Sequence, residues 1–206
     1  MSQVPAHTAR DASWVSVETP LSLPALREFC GDIERLLRIN PYFEFQRLQR
    51  TGADRIHASF RNLSNRQMMA LDLRIERESD DAFALVYLAG IKARTRFVLE
   101  PSGAGSRLTI TDDYAGLPLE ERKQRLHEVD KSLTAWGWAL HEYLRREQRW
   151  GRYASWRWYM RRLWLPMTPR ARRITYMLVL LTAAELVLIL LVATIYWIEL
   201  NPALFA

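Results

Sequence analysis

The chain has 206 residues, 49% of them apolar, a single cysteine and a formal charge of +6. One cysteine excludes an internal disulfide and a multi-cysteine zinc site, and it leans towards a reducing compartment. The charge is lopsided: residues 1–144 hold 19 basic and 20 acidic groups while residues 145–173 hold ten arginines and one acid, Glu147, which argues against a nucleic-acid-binding domain with a basic folded face.

Residues 1–12 form a polar tail without the apolar run of a secretory signal. Trp14–Thr19 alternates and predicts a short strand. Ser22 is placed to cap a helix, with Pro24 in the first turn, where a missing N–H does no harm. Leu26, Phe29, Cys30, Ile33, Leu36 and Leu37 recur at helical spacing. Gly31-Asp32 predicts a break into two short helices, and Asn40-Pro41 a stop.

Six predicted strands follow. YFEFQRLQ is the first; RIHASFRN then places Ile56, Ala58 and Phe60 on one face. QMMALDLRIERES places Met69, Leu71, Leu73 and Ile75 together, and AFALVYLAG is apolar on both faces, with Ala82–Ala89 a candidate docking surface. KARTRFVLE groups Thr95, Phe97 and Leu99; SRLTITDDY groups Leu108 and Ile110. One apolar and one polar face in most of the strands predicts an antiparallel meander covered on one side. A long helix starting near Pro118 and Glu120 supplies the cover, with Leu126, Val129, Leu133, Trp136, Leu140 and Tyr143 in one stripe.

This α+β order, and most closely the stretch VSVETPLSLPALREFCGDIERLLRINPYFEFQRLQ, resembles the START-like helix-grip superfamily (SRPBCC; polyketide cyclase/dehydrase and lipid transport) over roughly residues 13–148. The shared features are a strand, a helix, an Asp-containing hinge, and an Asn-Pro exit into the second strand. The resemblance implies a curved sheet wrapped around the last helix, with a cavity between them for a lipid, sterol, quinone or polyketide. It carries over no functional residue, because the superfamily has no invariant catalytic motif.

The sequence holds no P-loop, no G-x-G-x-x-G, no H-E-x-x-H and no G-x-S-x-G. His57 falls on the polar sheet face, His127 and His141 fall off the helix stripe, and Cys30 reads as core. Thr95, Asp112 and Tyr114 alternate onto the side of Leu108, Ile110 and Phe97. They are either the few polar groups that orient a ligand in an apolar cavity, or, for Asp112 and Tyr114, a strand end frayed into water. Phe60, Leu71, Leu73, Phe83, Leu85, Tyr87, Phe97, Trp136 and Leu140 are core under either reading and complete the candidate lining.

Residues 149–173 predict a basic, aromatic elbow. Tyr153, Trp156, Met160, Leu163 and Trp164 form an apolar arc expected to lie in a headgroup boundary, flanked by Arg157, Arg161 and Arg162. Pro166 and Pro169 break that helix, and Arg170, Arg172 and Arg173 stand before an apolar run. Residues 174–198 are interrupted only by Thr175, Thr182, Glu185 and Thr194, and exceed the ~20 residues that cross a bilayer. The expectation is a single-pass, tail-anchored membrane protein, with residues 199–206 beyond the bilayer and the arginines holding the N-terminal domain in the cytoplasm. Glu185, with Thr182 on the same face, is a candidate contact to another helix, in a homo-oligomer or another subunit.

Three functions fit these features. The first is a membrane-tethered module that binds or hands over a lipid or isoprenoid quinone, with membrane lipids as its partners. The second is an accessory or assembly subunit of a membrane complex that uses the domain as a docking scaffold. A cyclase- or dehydratase-type enzyme has least support, since no acid–base pair can be named; no cofactor is identifiable and nucleic acid is not an expected partner.

Overall fold

A computed structural model describes residues 12–90, 92–114 and 131–200. The strands are β1 (Ala12–Thr19), β2 (Phe43–Arg50), β3 (Arg55–Asn62), β4 (Gln67–Ser79), β5 (Ala82–Tyr87), β6 (Arg94–Ser102) and β7 (Gly105–Asp113). The helices are α1 (Leu23–Gly31), α2 (Ile33–Arg38), α3 (Leu133–Trp150), α4 (Ala154–Tyr159) and α5 (Pro169–Leu200), with a π-helical turn, Met160–Trp164, after α4. The predicted helix start near Pro118 and Glu120, with Leu126, His127 and Val129, lies outside the described residues, as do most of the 1–12 tail and residues 201–206.

All seven strands form one antiparallel sheet in the order β1-β7-β6-β5-β4-β3-β2. Each neighbour except β1 against β7 is also the next strand in sequence, so hairpins build the sheet and only β1 returns from a distance. The two short helices span the gap from β1 to β2. Asp32 makes the hinge between them: its side chain accepts a hydrogen bond from the Arg35 N–H at 3.0 Å, capping α2 while α1 ends at Gly31. Ser22 occupies the cap position of α1, but its side chain makes no capping bond there.

The apolar side of the sheet carries Val17, Ile56, Ala58, Phe60, Leu71, Leu73, Leu85, Phe97, Leu108 and Ile110, all buried. Helix α3 closes onto β1 and lays its stripe of Leu133, Trp136, Leu140 and Tyr143 into this core. Phe83 stacks on Phe97 at 4.6 Å, and Trp136 meets Phe97 edge-on at 5.8 Å. The Trp136 indole N–H donates to the Leu36 carbonyl at 3.1 Å, satisfying the polar end of a large buried ring.

Strand β5 departs from expectation. It sits at the centre of the sheet, and on its outer side Ala82 and Ala84 are buried rather than offered to a partner. Ala84 pairs with Glu76 on one neighbour and Arg96 on the other. Long charged side chains lay their aliphatic stems over small residues, so an apolar outer face need not be an open one. Leu88, just beyond the strand, is exposed.

The elbow also departs from expectation. The first compact unit extends to Pro166, and Met160 and Leu165 belong to its buried core. Trp156, Tyr159 and Trp164 pack partly buried against that core. The π turn, in which the Leu165 N–H reaches the Met160 carbonyl at 2.9 Å, is part of the path that brings both side chains inward. Periodicity identifies the apolar side of a helix but does not say what packs on it; here Met160, and Trp156 and Trp164 in part, pack on the protein's own core. Tyr153, Trp158 and Leu163 are left exposed, together with Arg157, Arg161 and Arg162.

The second unit begins at Met167. Thr168 caps α5 through its side chain, accepting from the Ala171 N–H at 3.2 Å, and Pro169 opens the helix. The helix has 32 residues and a mean hydropathy of 2.7 over its most apolar window, and its apolar side chains are exposed on every side. It is long and apolar enough to cross a membrane. Arg170 and Arg173 are exposed and Arg172 half-buried in its first turn; Thr182 and Glu185 are exposed along its length.

Candidate functional site

The ends of β5, β6 and β7 furthest from the β6–β7 turn gather a polar cluster inside the apolar layer. Register puts Thr95 opposite Asp112 and Leu85 opposite Thr95. Asp112, at 1% exposure, receives the Thr95 hydroxyl at 2.5 Å on one carboxylate oxygen and the Lys92 ammonium at 2.7 Å on the other. The Tyr87 hydroxyl is 3.0 Å from the Thr95 hydroxyl, and Lys92 lies over the Tyr87 and Tyr114 rings at 5.5 and 5.9 Å. Lys92 itself is only 10% exposed. A buried carboxylate is tolerated when it is paired and hydrogen-bonded, and both conditions hold here.

Beside this cluster lies a small cavity walled by Phe43, Phe60, Asn62, Met69, Leu71 and Tyr87, with Gly90, Lys92 and Tyr114 at its edge. It encloses about 20 Å³, room for roughly one water. Met69, Leu71, Ala89 and Gly90 also line an adjoining groove of about 190 Å³ that includes Met68 and Gln67. Gly90 has φ +105°, a left-handed conformation that side chains disfavour, and so lets the chain turn close over Leu71.

Of the residues singled out in the sequence, Phe60, Leu71, Tyr87 and Tyr114 line the cavity, and Thr95 and Asp112 form the polar cluster next to it. Leu73, Leu85, Phe97, Trp136 and Leu140 are instead buried in the filled core, and Phe83 borders a separate recess beside Ile75 and Leu99. Asp112 and Tyr114 are buried, so the strand end does not fray into water. Sequence reasoning missed Lys92, Phe43, Asn62 and Met69. A signal for Lys92 was available: the chain uses 26 arginines and only three lysines. A lysine is therefore unusual in this chain, and its ammonium is a compact point charge on a flexible stem.

A second buried polar cluster joins α2 to α3. The Arg35 guanidinium donates twice to the Tyr143 hydroxyl, at 3.0 and 2.8 Å, and pairs with Glu147 at 2.7 Å. It also lies over the rings of Phe29 and Tyr143 at 4.8 and 5.0 Å. Burial pushes the Tyr143 hydroxyl above the usual tyrosine range. Burial likewise pushes the Cys30 thiol up to about 12, as its apolar setting requires. His57 is half-exposed 2.8 Å from Asp72, and the His141 ring lies 2.8 Å from the Glu18 carbonyl; neither reaches the cavity.

No family model matches the sequence, and no curated protein does. Solved structures do. Protein Ms6760 from Mycobacterium smegmatis is 12% identical, with 69% of this chain and 96% of that one covered and a TM-score of 0.50. Protein NE0264 from Nitrosomonas europaea is 10% identical, with 69% and 99% covered and a TM-score of 0.50. A START superfamily protein from Mycobacterium smegmatis is 15% identical over 68% of this chain and 99% of that one, at a TM-score of 0.49. With one strand, two short helices, six meandering strands and a packed C-terminal helix, the chain has the START-like helix-grip fold, followed by a helix long and apolar enough to cross a membrane.

Proposed function

We propose that this protein is a membrane-tethered helix-grip module that binds a hydrophobic molecule, a lipid or isoprenoid quinone, drawn from the bilayer that α5 enters. The observation that carries the reading is the linked set of Lys92, Asp112, Thr95 and Tyr87, with Asp112 and Thr95 fully buried, beside a largely apolar cavity. A few fixed polar groups on an apolar wall are what an orienting site needs. The cavity is too small for such a molecule as it stands, so entry requires side chains to move. Met69 is the flexible one, and it separates the cavity from the outer groove. The arginines before the apolar run 174–198 favour a cytoplasmic domain.

The test is native mass spectrometry of the full chain released gently from membranes. A bound apolar mass in the wild type that disappears in Leu71→Trp, which fills the cavity, supports the reading. A chain that always emerges empty, and whose melting temperature no added lipid or quinone raises, refutes it.

Glu185 favours a second reading, an accessory subunit in a membrane complex. It is the one Asp, Glu, Lys or Arg between Ile174 and Ile198, exposed on α5 three residues after Thr182. A carboxyl in hydrocarbon seeks a hydrogen-bond partner on another helix. Blue-native gels of Glu185→Leu against wild type decide: loss of a larger species supports it, unchanged migration opposes it.

A further inference from the structure

The end of α3 and the start of α4 form a groove lined by Arg145, Arg146, Arg149, Trp150 and Trp156. Its charge is one-sided. Glu147, the nearest acid in sequence, is already held by buried Arg35 at 2.7 Å. Glu142 is shared between Arg145 and Arg146 at 3.4 and 3.3 Å, so one carboxylate serves two guanidiniums. Arg149 lies over the Trp150 ring at 5.2 Å. The Trp156 indole N–H is buried with no acceptor among the described residues. A buried donor left unsatisfied is costly, and the Trp156 side chain that carries it is one of those lining the groove.

We propose that this groove is a binding site for the phosphate of an anionic phospholipid headgroup. Guanidiniums and an indole N–H are donors without acceptor capacity, and a phosphate diester offers the reverse. The lipid is favoured over nucleic acid by the exposed rings that follow, Trp150, Tyr153 and Trp158, which suit the headgroup level of a bilayer. The site is separate from the apolar cavity and does not depend on what that cavity holds.

Full-length protein in neutral detergent micelles is titrated with phosphatidylglycerol, phosphatidylcholine, inorganic phosphate and a short single-stranded RNA, and bound species are counted by native mass spectrometry. Phosphatidylglycerol is expected to bind in preference to phosphatidylcholine. Arg145→Gln with Arg149→Gln should lower its affinity about tenfold, the scale of one lost charged hydrogen bond. Trp156→Phe, which keeps an aromatic ring but removes the indole N–H, should lower it less but measurably, in protein shown by its melting curve to remain folded. The triple change Arg170→Gln, Arg172→Gln, Arg173→Gln should leave this site intact, separating it from the arginines of α5. Equal binding of the two lipids, no effect of the groove variants, inorganic phosphate binding as tightly as the lipid, or RNA binding in its place would each overturn the proposal.

Discussion

Lys92 and Asp112 form an ion pair at 2.7 Å inside the apolar layer, with both side chains almost wholly removed from water. The pair joins the loop before β6 to the end of β7. Removing either partner leaves the other charge buried, which typically costs roughly 3–5 kcal/mol, whereas replacing both with apolar groups is often neutral. Lys92→Met and Asp112→Leu should each therefore lower stability by several kcal/mol in urea unfolding. The double variant should recover most of that loss. If the pair orients a ligand, the recovered double variant should still fail to retain it; restored folding with restored binding would leave the pair a purely structural role.

Gly137 faces Val15 where α3 closes onto β1. A methyl group at Gly137 would stand 2.6 Å from Val15 Cγ2 and 3.2 Å from Cγ1. Valine is stiff about its first side-chain torsion, so it cannot swing clear. In an exposed helix, Gly→Ala gains about 1 kcal/mol. Here the overpacking should outweigh that gain by ~1–3 kcal/mol net of relaxation. Gly137→Ala should lower the melting temperature, and Val15→Ala added to it should raise the temperature back towards wild type. A Gly137→Ala variant more stable than wild type would mean that the helix shifts freely on the strand.

The sheet was legible because its chemistry is local. Strands β3 and β4 fall on the predicted residues 55–62 and 67–79, since each alternates cleanly and ends at turn-forming residues. The Asp32 hinge was legible for the same reason. Other features depend on contacts distant in sequence. Asp112 is buried because register sets it against Thr95 and the loop brings Lys92 to it, 20 residues away. The arc of Trp156, Met160 and Trp164 reads from its spacing as one apolar face expected at a headgroup boundary, whereas the core that Met160 joins, with the two tryptophans packed partly against it, is assembled from the rest of the domain. Whether the apolar wall closes on itself is a matter of packing volume, which no alternation pattern contains.

Two buried acids should shape the alkaline limb of stability. The Cys30 thiol is raised from about 9 to about 12 by burial, and Tyr143 is raised above its ordinary value mainly by burial. Both keep their protons in the folded chain at pH values where the unfolded chain has lost them. The unfolded state then binds fewer protons, so stability falls as pH rises. The loss attributable to Cys30 begins near pH 9 and extends towards pH 12. Urea midpoints should decline between pH 9 and 11, and Cys30→Ala should flatten part of that decline. At pH 8 the native thiol should react with an aromatic disulfide reagent only as fast as the protein opens. Rapid native labelling would contradict the buried position.

The proposed topology rests on an asymmetry that can be inverted. Ten arginines lie between residues 145 and 173, and no Lys or Arg lies in residues 174–206. Each leucine, isoleucine or valine at mid-bilayer favours insertion by about 0.3–0.6 kcal/mol, and a carboxyl opposes it by about 2.5–3.5. With Leu, Ile and Val making up most of residues 174–198 and Glu185 the one carboxyl among them, insertion should survive Glu185 in either orientation. Orientation is then set by the flanks. Changing Arg170, Arg172 and Arg173 to Glu removes the positive charges next to the span, while leaving its hydropathy unchanged. In a protease-protection assay on sealed vesicles, the wild-type domain should be cleaved only from the cytoplasmic side. The triple variant should give a mixture of orientations. A variant that inserts as cleanly as wild type would show that the folded domain, rather than the arginines, decides which side it occupies; carbonate extraction of both proteins would show instead that α5 does not span.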